Sequence, residues 1–266
     1  MTGPPESIRE ATINQLLLVF GRVPAYFMAG PGELPGHGMI QAIIFDAEGV
    51  IIDTETIWDD AQAEFLRRRG IAYDRRAIKH RLSGRSQAEA VEIIKATYGL
   101  AEDGQALADE RRELVRRQLE KRVDFVAGFR DFFHRIQPVY RTAVATAMPE
   151  ELLAIVDARL GLSKLFAGHV YSLVAVGYRS KPNPDIFLHA ARQLGVPPEH
   201  CVVIEDAPHG VEGARRAGMK SIGITTTYDR QTLGQADIVV DSFAQIDLGI
   251  LQPPVKALVA DDVSRL

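Results

Sequence analysis

The chain has 266 residues, of which 46% are hydrophobic and 25% are charged, so it can bury a sizeable core, and disordered or fibrous classes are excluded. Its formal net charge of -4 gives no electrostatic reason to expect nucleic acid as a partner. The single cysteine, Cys201, excludes an internal disulfide and a cysteine-based zinc site.

Membrane insertion and secretion are not expected from this sequence. No apolar run approaches the roughly 20 residues that a membrane helix needs. Glu6 and Glu10 lie where a signal peptide would carry positive charge. We therefore expect a soluble cytoplasmic protein without a membrane partner, present as a monomer or weak dimer.

Five short, mainly apolar segments are typical of the buried strands of a parallel sheet. Helical patterns separate them: Pro149 opens one, Asn183 caps another, and a third runs over residues 211–217. This alternation predicts an α/β fold with a doubly wound, parallel, Rossmann-like sheet. The predicted strands are residues 42–45, 142–145, 201–204, 221–224 and 237–240.

One long segment interrupts the alternation and is rich in Arg, Glu, Ala and Leu without a strand pattern, which predicts an all-helical cap domain inserted into the core. Its basic run, in which Arg111 is the first residue, alternates with glutamates and is interpreted as a solvated helix face. We expect a loosely ordered extension over residues 1–38, a core of residues 39–53 and 128–250, a cap over residues 54–127 and a tail over residues 251–266.

Polar residues follow three of the predicted strands, and a lysine lies in the loop before the helix that Asn183 caps. Because ligands of open α/β sheets bind beyond the carboxyl ends of the strands, we expect these side chains to form one site. Taken alone, Asp46 and Asp206 are better explained as turn residues or helix caps, and Thr146 is also compatible with a helix cap. Lys181 alone would be a surface lysine. The residues are Asp46, Glu48, Thr146, Lys181, Glu205 and Asp206.

The residue types in this group favour phosphoryl chemistry with a divalent metal. Carboxylates from two strands can hold Mg²⁺, which prefers hard oxygen ligands. A carboxylate can also attack phosphorus and form an aspartyl phosphate that water then hydrolyses. A lysine and a hydroxyl can neutralise the phosphoryl oxygens.

Four segments of the chain contain the candidate site residues: FDAEGVIIDTE at residues 45–55, Thr146, SKPNPDIF at residues 180–187 and IEDAPHGVEGARRAG at residues 204–218. In order and in spacing they resemble the motifs of the haloacid dehalogenase superfamily. The position of the helical insertion resembles that of the phosphatase and β-phosphoglucomutase-like branch. The resemblance implies a Mg²⁺-dependent phosphatase that hydrolyses a small phosphorylated metabolite.

The same resemblance assigns roles to residues. Asp46 is implied as nucleophile and metal ligand, Asp206 as a second ligand and Glu205 as support for the metal's waters. Glu48 is implied to give the metal its backbone carbonyl and to act through its side chain as general acid and base. Thr146, the Ala147 amide and Lys181 are implied to hold the phosphoryl group.

Two positions depart from the family pattern. Glu48 stands where family phosphatases carry aspartate, and the extra methylene moves the proton donor by more than about 1 Å, which can cost about a hundredfold in rate. Trp58 stands near the position of a histidine used by the phosphomutases, and Arg85 lies elsewhere in the cap loop than their arginine. A sugar phosphomutase, and a weakly catalytic phosphate- or metal-binding protein, remain the alternatives. Arg85 is expected to contact the substrate from the cap.

Overall fold

The strand at residues 42–45 lies at the centre of a six-stranded parallel sheet in the computed structural model of the chain, which describes residues 40–82 and 87–247. The sheet order is β3-β2-β1-β4-β5-β6, so the chain builds outward from β1 first to one side and then to the other. This confirms the predicted doubly wound fold. The strands are β1 (Ala42–Phe45), β2 (Arg141–Ala145), β3 (Val170–Tyr171), β4 (Cys201–Glu205), β5 (Lys220–Ile224) and β6 (Ile238–Val240).

All five predicted strands are confirmed, and β3 was missed. This edge strand has only two residues, both of them half-buried, so it leaves no apolar run in the sequence. It joins the sheet through the Val144 N–H, which donates to the His169 carbonyl at 2.8 Å, and the Thr146 N–H, which donates to the Tyr171 carbonyl at 3.0 Å.

Nine α-helices accompany the sheet within the described ranges. Four lie in the predicted insertion, which confirms its all-helical character: α1 (Glu55–Arg67), α2 (Arg75–Leu82), α3 (Gln87–Tyr98) and α4 (Gly104–Lys121). The others are α5 (Phe129–Ile136), α6 (Glu150–Leu160), α7 (Leu162–Leu165), α8 (Asp185–Leu194) and α9 (Pro208–Arg216). The last begins three residues before the predicted start, since Pro208 fits the first helical turn.

The two connections between the sheet and the helical insertion run beside each other. The Asp53 N–H donates to the Asp124 carbonyl at 3.0 Å, and the Val126 N–H donates to the Ile51 carbonyl at 2.9 Å. An antiparallel bridge pairs Ile52 with Phe125 between these two contacts. The insertion therefore leaves the core and returns to it at one place, directly after the loop that follows β1.

The core covers both faces of the sheet. On one face, Ala42 and Ile44 of β1 pack with the apolar sides of α8 and α9. On the other, Phe45 meets the ring of Phe129 at a centroid distance of 5.8 Å and that of Phe166 at 5.7 Å. Because β1 is buried on both faces, its four residues form a continuous apolar run. The loop that follows β1 therefore begins at a strand whose position is fixed by packing on both faces.

Residues Gln41–Ile246 pack as one unit, which contains both the sheet and the helical insertion. The proposed extension over residues 1–38 and tail over residues 251–266 lie outside the described residues. None of the described helices is both long enough and apolar enough to span a membrane.

Candidate active site

The carboxyl ends of β1 and β4 meet where the strand order changes direction, and Asp46 lies at this point. Its N–H donates to the Ile204 carbonyl of β4 at 3.0 Å, so the backbone of the two strands fixes its position. A cavity of about 630 Å³ opens there between the strand ends and the helical insertion. Five of the predicted residues line it together with Asp46: Glu48, Ala147, Lys181, Glu205 and Asp206.

Lys181 joins the acidic residues at the bottom of this cavity. Its ammonium donates to Asp46 Oδ1, and to Glu205 Oε1 at 2.6 Å. The side chains of Lys181 and Glu205 are almost entirely buried, with exposed fractions of 2% and 1%. A buried ion pair needs such close contacts, because neither charge retains its water shell. The loop before α8 thus brings its lysine to the sheet edge, as predicted.

The Glu205 carboxylate also receives two backbone hydrogen bonds. The N–H groups of Asp206 and Ala207 each donate to Glu205 Oε2 at 3.0 Å. Gly210 makes room for this arrangement, since a Cβ at that position would collide with the Glu205 carboxylate. Glu205 is therefore held rigidly, with one oxygen on the backbone and the other on Lys181.

Asp206 approaches the loop after β1 closely. Gly49 has a φ of 73°, in the left-handed region, and a Cβ there would overlap the Asp206 carboxylate. A glycine is needed at this position for both reasons. The turn at Gly49 therefore allows the carboxyl groups that follow β1 and β4 to lie close together.

Thr146 is the one predicted strand-end residue that does not line the cavity. It is fully buried at the end of β2, and its Oγ1 accepts a hydrogen bond from the Met148 N–H at 3.0 Å. The hydroxyl thereby stabilises the turn that leads into α6, which was the alternative interpretation of this residue. The neighbouring Ala147 lines the cavity.

Glu48 forms a contact that the sequence did not predict. The indole Nε1–H of Trp58, in the first turn of α1, donates to Glu48 Oε1 at 2.9 Å. An indole only donates, so Trp58 stabilises the glutamate as a hydrogen-bond acceptor. An aspartate would be one methylene shorter than the side chain that reaches Trp58 here. The glutamate and the tryptophan are therefore matched to each other.

Burial and neighbouring charges raise the pKa values of acidic side chains in the site. Burial raises the pKa of Asp46 to about 7, although the Lys181 ammonium opposes this change. Burial, followed by the charges of Glu205 and Asp46, raises the pKa of Asp206 well above its ordinary value. Burial also raises the pKa of Glu48. In the described part of the site, four carboxyl groups thus share the single ammonium of Lys181.

This excess of carboxyl groups fits a divalent cation. No cluster of three or more His, Cys, Asp or Glu side chains suited to a metal occurs within the described ranges. A Mg²⁺ ion that keeps several waters needs only one or two carboxylates from the protein. Asp46, Asp206 and the backbone carbonyl of Glu48 meet this requirement in chemical type.

The opposite wall of the cavity comes from the helical insertion and includes Trp58, Gln62, Tyr73 and Arg111. Arg111 is only 6% exposed, so the prediction of a solvated face for the basic run is wrong at this residue. The same prediction is right for Arg117, whose side chain is 55% exposed. Arg85, predicted as a substrate contact, lies outside the described residues.

The sequence did contain a signal for the missed residues. Arg111 interrupts the apolar stripe of α4 between Leu107 and Leu114, and all three are buried. Gln62 likewise lies among the buried residues of α1, between Ala61 and Phe65. A polar residue at an apolar position of a helix is informative, because burial requires it to have a partner or a ligand.

The strand-end motifs also agree with comparisons to known proteins. The family model of the haloacid dehalogenase-like hydrolases matches residues 40–218. A fructose-1-phosphate phosphatase of Escherichia coli is 34% identical over 187 residues, which cover 68% of this chain and 95% of that protein. A β-phosphoglucomutase of Bacillus subtilis is 29% identical, with 80% and 94% covered.

Solved structures extend the similarity to the fold. A haloacid dehalogenase-like protein from Agrobacterium tumefaciens superposes with a TM-score of 0.68 and 30% identity, covering 77% of this chain and 94% of that one. The family-model match over residues 40–218 includes all of the strand-end motifs. The chain therefore belongs to the haloacid dehalogenase-like hydrolases.

Proposed function

We propose that this enzyme is a Mg²⁺-dependent phosphatase that hydrolyses small phosphorylated metabolites through an aspartyl phosphate on Asp46. The observation that carries the proposal is the buried Asp46–Lys181–Glu205 chain of contacts beside Asp206. A nucleophile, a fixed cation and spare carboxyl groups are the parts that phosphoryl transfer needs.

Asp46 attacks the phosphorus atom in the first step. Lys181 contacts Oδ1, which leaves Oδ2 to form the bond to phosphorus. The bond from phosphorus to the ester oxygen breaks, and the leaving oxygen takes a proton from Glu48. Burial raises the pKa of Glu48, which favours the protonated acid needed at this point.

Water completes the reaction in the second step. It attacks the phosphorus of the aspartyl phosphate and transfers a proton to Glu48, and inorganic phosphate and the Asp46 carboxylate are released. Lys181 and the backbone N–H of Ala147 stabilise the phosphoryl oxygens throughout. When bound by Asp46, Asp206 and the Glu48 carbonyl, Mg²⁺ supplies positive charge against the phosphoryl group.

Trp58 favours hydrolysis over the phosphomutase alternative. Its Nε1–H is already directed at Glu48, and an indole cannot accept or relay a proton as an imidazole can. The names of the relatives include both activities, a fructose-1-phosphate phosphatase and a β-phosphoglucomutase. We assign phosphatase activity because of the Trp58–Glu48 contact.

Steady-state hydrolysis of p-nitrophenyl phosphate and of fructose 1-phosphate tests the proposal. We expect phosphate release with Mg²⁺, loss of activity with EDTA and recovery when Mg²⁺ is restored. Rapid acid quenching followed by mass spectrometry should find one phosphoryl group on the peptide containing Asp46. Full activity after exhaustive chelation, or turnover without that adduct, would contradict the proposal.

A further inference from the structure

The cap-side wall of the cavity contains a buried hydrogen-bond donor that has no partner. The Gln62 side chain is 3% exposed and lines the cavity, and its Nε2 makes no hydrogen bond in the described structure. Leaving a buried amide donor unpaired is unfavourable, because the group has lost its water partners and gained none in the protein. A bound acceptor in the cavity would remove this cost.

The orientation of the Gln62 amide is set by Arg111. The Nε–H of Arg111 donates to Gln62 Oε1 at 3.1 Å, across the contact between α1 and α4. A guanidinium has only donors, so the oxygen of the amide must face Arg111 and the NH₂ group must be at the other end. The hydrogen bond with Arg111 therefore leaves the Gln62 NH₂ group directed away from Arg111 and without a partner among the described residues.

Arg111 itself places a buried positive charge beside this donor. Burial lowers its pKa to about 10, so the guanidinium stays charged at neutral pH. It lies 5.8 Å from the centroid of the Trp58 ring, and Trp58 in turn contacts Glu48. Contacts therefore connect the Gln62–Arg111 pair to the proposed acid of the reaction.

We propose that Gln62 and Arg111 form a subsite that binds hydroxyl oxygens of the non-reacting part of a polyol phosphate. This inference rests on the proposed phosphatase function and adds the group that recognises the alcohol portion of the substrate. The Gln62 NH₂ group donates to a substrate oxygen, and the Arg111 guanidinium holds the amide in the orientation that makes this donation available.

The charges on the same wall favour hydroxyl groups over a second phosphate. Glu55 and Asp59 also line the cavity, and each has a carboxylate oxygen within 2.7 Å of an Arg75 nitrogen. A hydroxyl group can accept from Gln62 and donate to such carboxylates, whereas an ionised phosphate only accepts and cannot hydrogen-bond to them. A monophosphate of a polyol or sugar therefore suits the wall better than a bisphosphate.

The variant Gln62→Glu tests this subsite with little change of shape. It keeps the acceptor for Arg111, replaces the NH₂ donor by a second acceptor, and adds a negative charge that Arg111 can pair. We expect kcat/KM for fructose 1-phosphate to fall about tenfold relative to kcat/KM for p-nitrophenyl phosphate, mainly through KM. Gln105→Glu is the matched control, because Gln105 is exposed on α4 and does not line the cavity, so the ratio should not change.

The outcomes distinguish a failure of the proposed subsite from a failure of the proposed phosphatase reaction. If wild type hydrolyses both esters and Gln62→Glu changes their ratio less than twofold with an unaltered thermal midpoint, the subsite is wrong and the phosphatase stands. Preference of wild type for fructose 1,6-bisphosphate over fructose 1-phosphate by more than tenfold would overturn the hydroxyl assignment.

Binding measurements cover the case in which no ester is hydrolysed. Calorimetric titration with Mg²⁺ present compares fructose 1-phosphate with inorganic phosphate. We expect Gln62→Glu to weaken fructose 1-phosphate binding about tenfold relative to inorganic phosphate. Equal weakening of both ligands would refute the subsite, even if the proposed hydrolysis had already failed.

Discussion

The two walls of the cavity differ in the partners that surround their buried charged groups. On the sheet side, the Lys181 ammonium lies between Asp46 and Glu205, all almost fully buried, and two backbone N–H groups hold Glu205. On the cap side, the Arg111 guanidinium contacts the neutral amide of Gln62 and faces the ring of Trp58. The sheet side thus has an excess of carboxyl groups around one fixed ammonium, whereas the cap side has the Gln62 donor, unpaired within the described ranges, left for a ligand.

This difference separates chemistry from selectivity. A network whose members are fixed by the backbone keeps its geometry whatever substrate is bound, which is what a reacting centre requires. A wall built from helices and side-chain amides can be altered one residue at a time. We expect substitutions on the sheet side to remove the reaction, and substitutions on the cap side to change which esters are used.

The largest expected effect is that of Asp46→Asn. The amide cannot form an acyl phosphate, so kcat for p-nitrophenyl phosphate should fall by at least about 10³-fold. Circular dichroism should show an unchanged fold. Asp53→Asn is the matched control, since Asp53 is exposed in the same loop, and it should retain activity. Substantial activity in Asp46→Asn would mean that another group attacks phosphorus.

Removal of the central cation should affect stability as well as turnover. Lys181→Met leaves the Asp46 and Glu205 carboxylates buried without their counter-charge, which is expected to lower the free energy of unfolding by about 3–5 kcal/mol. Urea denaturation measures this change. Lys164→Met, at an exposed position of α7, should leave the unfolding midpoint in place. A loss below about 1 kcal/mol for Lys181→Met would show that the carboxyl groups are stable without the lysine.

The contact between Glu48 and Trp58 crosses from one wall to the other and gives an intermediate effect. Glu48→Asp and Trp58→Phe should each lower kcat about tenfold, because each breaks the hydrogen bond that holds the acid. The extra methylene of Glu48, taken alone, predicts that Glu48→Asp is faster, and the Trp58 contact reverses this expectation. The double variant should be little worse than either single one, since the shared contact can be lost only once. Additive losses, or a faster Glu48→Asp enzyme, would show that Trp58 does not position the acid.

The smallest effect is expected at the rim of the cap. Arg75 contacts Glu55 and Asp59, but its side chain is 54% exposed, so water screens both pairs. Arg75→Gln should therefore lower the free energy of unfolding by at most about 1 kcal/mol, far less than Lys181→Met. Urea denaturation of both variants under the same conditions makes this comparison. Equal losses of unfolding free energy would show that the exposed ion pairs of Arg75 stabilise the protein as much as the buried ion pairs of Lys181.

The sheet side could be predicted from the sequence because a strand end has a simple pattern. An apolar run stops at a polar residue, and parallel strands bring such residues to one edge. This pattern placed Asp46, Glu205 and Asp206 in one site, and it identified the sheet except for β3. Lys181 was assigned to the same site from its position in the loop before α8. The pattern gave no information about Thr146, since a buried turn hydroxyl and a ligand-binding hydroxyl follow a strand in the same way.

The cap side could not be predicted in the same way. The arginines of α4 occur at several helical phases, and which of them faces inward depends on how α1 packs against α4. Composition and charge alternation do not separate Arg111 from Arg112. The apolar stripe of α4 marks Arg111 as buried, but the packing that gives it Gln62 as a partner is a tertiary property. The Trp58–Glu48 contact joins residues ten positions apart through the turn between a strand and a helix. No periodic pattern describes such a contact.

The paired connections at residues 51–53 and 124–126 have a consequence for how this protein can change over evolutionary time. Because the two connections bridge to each other, the 70 intervening residues leave and rejoin the core side by side, like the two strands of a hairpin. A whole helical segment could be replaced there by one of different length or sequence without moving β1 or β2. New substrate preferences could therefore arise by exchange of this helical segment, while the side chains at the strand ends keep their arrangement.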